Sequence, residues 1–236
     1  MLLLAACANS PDRAKAKAGA GKTADIGLVS TQEFVPVPKK DNAGVALPYE
    51  PTVNPYILQK GKIKKESVAR FIEAKRAVRQ KQYAQAENIL LEMAKEDKSL
   101  SGPWVLLGDI VAEQKQYAKA VEYYQKAISA NASNLNAYMH LALVQRQQGE
   151  FLRAQNTYRT VLSLWRDCPE AHLNLAILYD IYLNHPLRAQ KHMEAYQFLT
   201  SGQNTEVAQW LVEIQKRTGI APSLNVEVQK AESRTL

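Results

Sequence analysis

Residues 101–134 read SGPWVLLGDIVAEQKQYAKAVEYYQKAISANASN, and this stretch decides the fold because its pattern recurs on both sides of it. The aromatic residues Tyr83, Tyr117 and Phe151 are thirty-four positions apart. Two columns of small residues keep the same period: Ala74, Gly108, Ala142 and Ala176, and Ala86, Ala120 and Ala154. A fixed period of this length is typical of proteins built from stacked repeats.

The columns predict two antiparallel helices in each repeat. Where two helices cross closely, each must offer a small residue, and in this stretch these are Gly108 and Ala120. Larger side chains such as Leu107 and Tyr124 then fill the space around the crossing, because protein interiors are close-packed. Each repeat is therefore expected to be a helix pair with complementary volumes.

These columns resemble the tetratricopeptide repeat, in which a bulky residue, Leu and Gly or Ala mark the first helix, and Ala and an aromatic residue mark the second. The resemblance implies an all-α fold, a right-handed α-solenoid of helix-turn-helix repeats. The four copies span residues 67–100, 101–134, 135–168 and 169–202, within a folded region of residues 63–202.

The fourth copy is one residue longer than the others, since Ala189 lies thirty-five positions beyond Ala154. We place the extra residue in the turn at 184–186, where Pro186 suits the first position of a helix. Asn204 is a good N-cap, so residues 203–219 are predicted to form a capping helix over the last repeat. Residues 220–236 are expected to have little order.

The first seven residues end in Leu4-Ala5-Ala6-Cys7, which resembles the lipobox of bacterial lipoproteins. The resemblance implies a truncated-looking signal at residues 1–7, a lipid on Cys7, and a location on the periplasmic side of the outer membrane. There is no basic segment before the short apolar run, so a cytoplasmic protein that starts at Met1 is the alternative. Residues 8–62, rich in Pro, Lys and Ala, are predicted to form a disordered tether.

The formal charge of +7 is concentrated in the leader, because residues 8–65 carry +5 and residues 66–219 only +2. A nearly neutral folded region argues against binding to a phosphate backbone, so no nucleic-acid partner is expected.

No constellation for catalysis or metal binding stands out. The four histidines lack ligand spacing, Cys168 has no base nearby in sequence, and His172 falls in a packing column. We therefore predict no enzyme activity, catalytic residue, metal, cofactor or small-molecule substrate. A subunit whose groove hosts weak hydrolysis is the competing alternative.

The surface of the first helices is the predicted binding site, because in such a stack these helices line the concave side. The predicted groove residues are Phe71, Lys75, Val78, Val105, Asp109, Ala112, Met139, Leu143, Arg146, Leu173, Ile177 and Asp180. Their mixture of apolar and charged side chains suits an amphipathic helix or an extended peptide. Some members of the family bind a chaperone's C-terminal carboxylate through Lys, Asn and Arg side chains on three successive first helices. Among the corresponding positions here only Lys75 has a fixed positive charge, which argues against that specificity.

The expected function is that of a protein-binding scaffold or adaptor, with another protein as its partner and the membrane reached through Cys7. The plan of anchor and array is similar to that of pilotin lipoproteins, which implies a role in envelope or pilus and secretion assembly. The alternatives are an adaptor for a cell-wall hydrolase or protease and a cytoplasmic scaffold.

Overall fold

The computed structural model of the chain describes residues 27–59 and 63–224, and in these residues it forms nine α-helices. The four repeats are pairs of first and second helices: α1 (Lys65–Arg79) with α2 (Tyr83–Glu96), α3 (Ser101–Glu113) with α4 (Tyr117–Ala130), α5 (Leu135–Gln147) with α6 (Phe151–Leu164), and α7 (Pro169–Ile177) with α8 (Pro186–Leu199). The capping helix is α9 (Thr205–Thr218). The predicted all-α solenoid is confirmed.

The small residues lie at the helix crossings, as the period requires. Ala74, Ala142 and Ala176 have no exposed surface. At Gly108 the packing is tighter, since an added Cβ would lie 2.4 Å from Cε1 of Tyr124. The side chain of Tyr124 therefore occupies the space that a methyl group would need.

The extra residue of the fourth repeat lies in a π-helical turn at Leu178–Tyr182, directly after α7. Our placement of it at 184–186 is wrong. The turn into α8 has the same form as the others, because its left-handed residue, Asn184, corresponds to Lys81, Lys115 and Gly149 in the earlier repeats. The first helix absorbs the residue because a wider turn keeps its hydrogen bonds, as in the bond from the amide of Leu183 to the carbonyl of Leu178.

The C-terminal end of the array is covered by α9. The side chain of Asn204 caps this helix by accepting from the amide of Val207 at 3.0 Å. The next residues were expected to have little order, but Glu194 accepts the amide of Ser223 at 2.9 Å and Leu224 is buried in a cluster with Phe198. Residues 220–224 therefore continue along α8, and residues 225–236 lie outside the described part.

Residues 27–59, which we call the strap, lie along the array, although we predicted a disordered tether at 8–62. The strap begins beside α8, passes the junction between the third and fourth repeats, and reaches Asn131 at the preceding junction. Proline disfavours a helix in this segment, but it allows an extended chain that docks on the array. Such docking is favourable because side chains of the array form hydrogen bonds with polar groups of the strap. Residues 8–26 and 60–62 lie outside the described residues.

Asp167 is the main anchor of the strap at the junction of the third and fourth repeats. Its carboxylate, in a residue 2% exposed, accepts from the hydroxyl of Tyr49 and from the amide and hydroxyl of Thr52, each at 2.7 Å. The indole of Trp165 donates to the carbonyl of Thr52 at 2.7 Å. These bonds hold one extended segment of the strap in a fixed register.

A buried hydrogen-bond network holds the start of the strap. The carbonyl of Arg166 can only accept, so Nε2 of His172 donates to it, and Nδ1 of His172 accepts from Nδ1 of His192 at 2.9 Å. The other nitrogen of His192 then accepts from the hydroxyl of Thr31 at 2.7 Å, and Thr31 accepts from Tyr179. This arrangement needs both imidazoles neutral, and burial lowers the pKa of His172 to about 4 and that of His192 well below its usual value.

None of the helices in residues 27–59 and 63–224 combines the length and apolar character needed to cross a bilayer. Cys7 and the predicted signal at residues 1–7 lie outside the described residues.

Candidate functional site

The candidate site is the groove formed by the first helices. The backbone of α3 approaches those of α1 and α5, whereas no two second helices in the described part of the chain come as close. In the first three repeats the stack is therefore tighter on the side of the first helices, which favours that side as the concave one. This is the side where the sequence placed its twelve groove residues.

The structure divides those twelve residues into core and surface. Six pack against the hydrophobic clusters of the array: Phe71, Val78, Val105, Ala112, Met139 and Leu173. Lys75 and Leu143 are exposed, whereas Asp109, Arg146 and Ile177 are half-buried. Packing against these clusters therefore takes up half of the predicted surface.

Asp180 does not form an open part of the groove. Its carboxylate, with a side chain only 7% exposed, accepts from the indole of Trp210 at 2.8 Å and pairs with Arg217 at 2.5 Å. Both partners belong to α9. Asp180 therefore docks the capping helix onto the π-helical turn, and the sequence did not reveal this role.

A polar cluster spans the second and third repeats in the groove. Oδ1 of Asp109 accepts from the hydroxyl of Tyr124 at 2.9 Å and lies 2.5 Å from Nδ1 of His140. The hydrogen bond that His140 donates to Asp109 raises the pKa of His140, and burial raises the pKa of Tyr124. Because Asp109 bonds to Tyr124 of the second repeat and to His140 of the third, the cluster joins these two repeats. The negative charge of Asp109 is therefore already paired within the chain.

Arg146 lies further along α5, one turn after the exposed side chain of Leu143. Its guanidinium is 5.8 Å from the ring centroid of Tyr182, whose ring packs on Phe151 with centroids 4.8 Å apart. Among the described residues, the buried Nη1 of Arg146 and the buried hydroxyl of the nearby Tyr158 have no hydrogen-bond partner. The groove therefore contains a positioned cation beside a buried hydroxyl donor.

No group of three or more His, Cys, Asp and Glu side chains in the described residues is arranged to hold a metal ion. Cys168 is buried, and burial raises the pKa of its thiol to about 12, so it is not a reactive thiolate.

The strap is the functional feature that the sequence analysis missed. The sequence does contain a signal for it, because two columns of the repeat change at the third junction. Trp165 takes the place of Asp97 and Asn131, and Asp167 takes the place of Ser99 and Ser133. At the two regular junctions the Asp or Asn side chain accepts the serine amide two residues later at 2.9 Å. At the third junction the replaced residues bind the strap instead.

Residues 102–134 match a family model described as tetratricopeptide repeat, and residues 140–180 match a second model with the same description. No curated protein sequence matches the chain. Solved structures with a similar fold include a tetratricopeptide repeat protein from Parabacteroides merdae (19% identity, TM-score 0.56, covering 66% of this chain and 61% of that one).

Two further structures share the fold. One is pilF of Pseudomonas aeruginosa, with 18% identity and a TM-score of 0.56, covering 65% of this chain and 69% of that one. The other is MamA from Desulfovibrio magneticus, with 17% identity and a TM-score of 0.54, covering 66% and 87%. At these identities the likeness establishes the solenoid alone.

Proposed function

Because this chain is a tetratricopeptide-repeat protein, we propose that it is an adaptor that binds a segment of its partner along the groove of the first helices. The observation that carries the proposal is the placement of the strap. The strap's hydrogen bonds and ring contacts are with α8, with the junctions, with Arg159 of α6 and with Tyr179, and none is with Lys75, Leu143 or Arg146 in the described residues. The bonds of the strap thus stabilise the array, and among the described residues they leave Lys75, Leu143 and Arg146 uncontacted.

The surface that remains suits a peptide. Leu143 is 37% exposed in the middle of the groove, with the paired Asp109 on the side of the second repeat and Arg146 one turn along its own helix. An exposed apolar side chain between polar groups favours an amphipathic helix or an extended segment that buries one apolar side chain there. The net charge of residues 66–219 is only +2, which argues against a nucleic acid as the partner.

We also propose that the adaptor is lipid-anchored through Cys7 on the periplasmic side of the outer membrane and acts in envelope or pilus and secretion assembly. The lipobox-like Leu4-Ala5-Ala6-Cys7 supports the anchor. An adaptor for a cell-wall hydrolase or protease would use the same groove, so the identity of the captured partner separates these roles.

Site-specific photocrosslinking in cells tests the groove. Leu143 on α5 and Leu91 on α2 are matched positions, because both are leucines of similar exposure, 37% and 42%, on opposite faces of the array. We expect a crosslinker at position 143 to capture a defined partner and one at position 91 to capture none. Capture from position 91 alone would show that the convex face is the binding surface.

Metabolic labelling with a clickable fatty acid tests the anchor. The wild-type chain should incorporate the label and sediment with membranes, and Cys7→Ser should do neither. A wild-type chain without label would remove the anchor and leave the cytoplasmic scaffold as the function.

A further inference from the structure

Arg146 is a charged side chain that has no charged partner in the part of the chain that the structure describes. Arg70 pairs with Glu92 and Glu96, Arg159 with Glu33 and Arg217 with Asp180. By contrast, no ion pair or hydrogen bond of the Arg146 guanidinium is found in residues 27–59 and 63–224. A partly buried cation without an acceptor is unfavourable, and it becomes favourable once a complementary anion arrives.

The guanidinium is held in place by aromatic rings. Tyr182 stacks against it from the π-helical turn, and Phe151 supports Tyr182 from the start of α6. The extra residue of the fourth repeat lies in this turn, so the insertion is part of the element that presents Tyr182 to Arg146. A cation fixed in this way loses little side-chain entropy when it binds a ligand.

Tyr158 adds a second donor. Its column partner Tyr124 donates to Asp109, but the residue that corresponds to Asp109 in the third repeat is Leu143, which cannot accept. Tyr158 has no exposed surface, and its hydroxyl has no partner among the described residues. Burial raises the pKa of Tyr158 to about 12, and Arg146 is close enough to act against that rise, so the hydroxyl stays protonated beside the cation.

We propose that Arg146, with the Tyr158 hydroxyl near it, recognises the side-chain carboxylate of an Asp or Glu in the segment bound along the groove. This inference rests on the proposed function and names the chemistry of its partner. Guanidinium and hydroxyl donors together match a carboxylate, which has two acceptor oxygens. Arg146 is half-buried, so part of its side chain is accessible to a ligand while Tyr182 stays packed against it.

The position of Arg146 favours a side-chain carboxylate over a chain terminus. Arg146 lies on the third of four first helices, and the groove continues past it along α3 on one side and α7 on the other. A segment that spans the groove therefore passes Arg146 with its interior. Leu143 and Arg146 are three residues apart on one helix face, so the bound segment should carry an apolar residue next to its acidic one.

The test uses the full chain and a phage-displayed library of random twelve-residue peptides. We expect the enriched peptides to carry Asp or Glu at one fixed position beside an apolar residue, and to crosslink from position 143. In a synthetic peptide from this pool, replacing the acidic residue by its amide should weaken binding roughly 10-fold to 100-fold, as for hydrogen bonds between charged groups.

Variants of the chain complete a double-mutant cycle. Arg146→Gln should weaken binding by the same factor as the amide peptide, and the two changes together should weaken it no further. Tyr158→Phe should weaken binding by a smaller factor. Arg153→Gln is the matched control because Arg153 pairs with Glu150 on α6, and its peptide affinity should equal that of the wild type.

The outcomes separate the two proposals. Enriched peptides that bind in the groove without a fixed acidic residue, or a cycle in which the two losses add, would overturn the role of Arg146 and leave the groove as the binding site. Failure to enrich any peptide, or enrichment only of peptides that do not crosslink from position 143, would overturn both. If Arg146→Gln lowers the melting temperature, the change in the peptide alone still decides the question.

Discussion

Replacement of Gly108 by Ala tests the tightest crossing in the array. If helix propensity governs this position, the added methyl group stabilises α3 by about 1 kcal/mol, because Gly is a poor helix residue. If the crossing governs it, the methyl group has no room, since the built Cβ lies 2.4 to 2.9 Å from three ring carbons of Tyr124. The two readings predict free energies of unfolding that change in opposite directions.

The magnitude follows from what Tyr124 must give up. Its ring is 2% exposed and cannot move into solvent, so overpacking costs about 1–3 kcal/mol. Displacement of the ring also breaks its 2.9 Å hydrogen bond to Asp109, worth about 1.5–3 kcal/mol for a charged acceptor. After the gain in helix propensity of about 1 kcal/mol, we expect Gly108→Ala to lower the free energy of unfolding by about 1.5–5 kcal/mol.

Urea denaturation followed by circular dichroism measures this change. Ala142→Gly is the matched control in the same column of the next repeat, and it should lose about 1 kcal/mol because only helix propensity and a small contact change. A Gly108→Ala chain as stable as the wild type, or more stable, would refute the packing of Tyr124 over Gly108.

Three further predictions concern hydrogen bonds described above. Tyr158→Phe should leave the free energy of unfolding within about 0.5 kcal/mol of the wild type in urea, because its hydroxyl has no partner in the described residues, whereas Tyr124→Phe should lose about 1.5–3 kcal/mol. Asp167→Ala should free the strap and speed tryptic cleavage after Lys39 or Lys40 at least about tenfold, with the helices retained by circular dichroism; unchanged cleavage would contradict the anchor. Because the pKa of His172 is lowered to about 4 in the folded chain and is near 6.5 in the unfolded chain, the unfolded chain binds a proton first as the pH falls. The free energy of unfolding should therefore be fully present above pH 6.5 and fall toward pH 4 by up to about 3 kcal/mol. A His172→Gln chain should lose less over this range, and an equal loss would contradict the network of neutral histidines.

The period in the sequence predicted the array because each column has one physical cause, the close crossing of two helices. Ala74, Gly108, Ala142 and Ala176 occupy equivalent buried positions, so the register follows from residue volume alone. The groove could be predicted only in part. The position of a residue in a repeat column shows which face of its helix it lies on. Whether Val105 packs inward or Leu143 stays exposed depends also on how closely neighbouring first helices approach.

The strap escaped the sequence analysis because an extended segment that docks through scattered side chains has no period. Two of its partners in the array, Asp167 and His192, are isolated polar residues within the repeats. The π-helical turn was misplaced for a related reason, since the column fixes that one residue is added but not where the backbone absorbs it. The lipid at Cys7 stays a prediction.

The course of the strap changes how the array should come apart. In a solenoid whose units touch only their neighbours, each end can fray by itself, and hydrogen exchange would rise gradually toward the termini. Here Thr31 contacts His192 across 161 positions of the chain, and the same segment then returns toward the first repeat. The last repeat therefore opens only together with the strap, so the amide protection of α8 depends on the strap. The ribosome makes the strap before α1 to α9, and α8 can meet it only when translation is nearly complete.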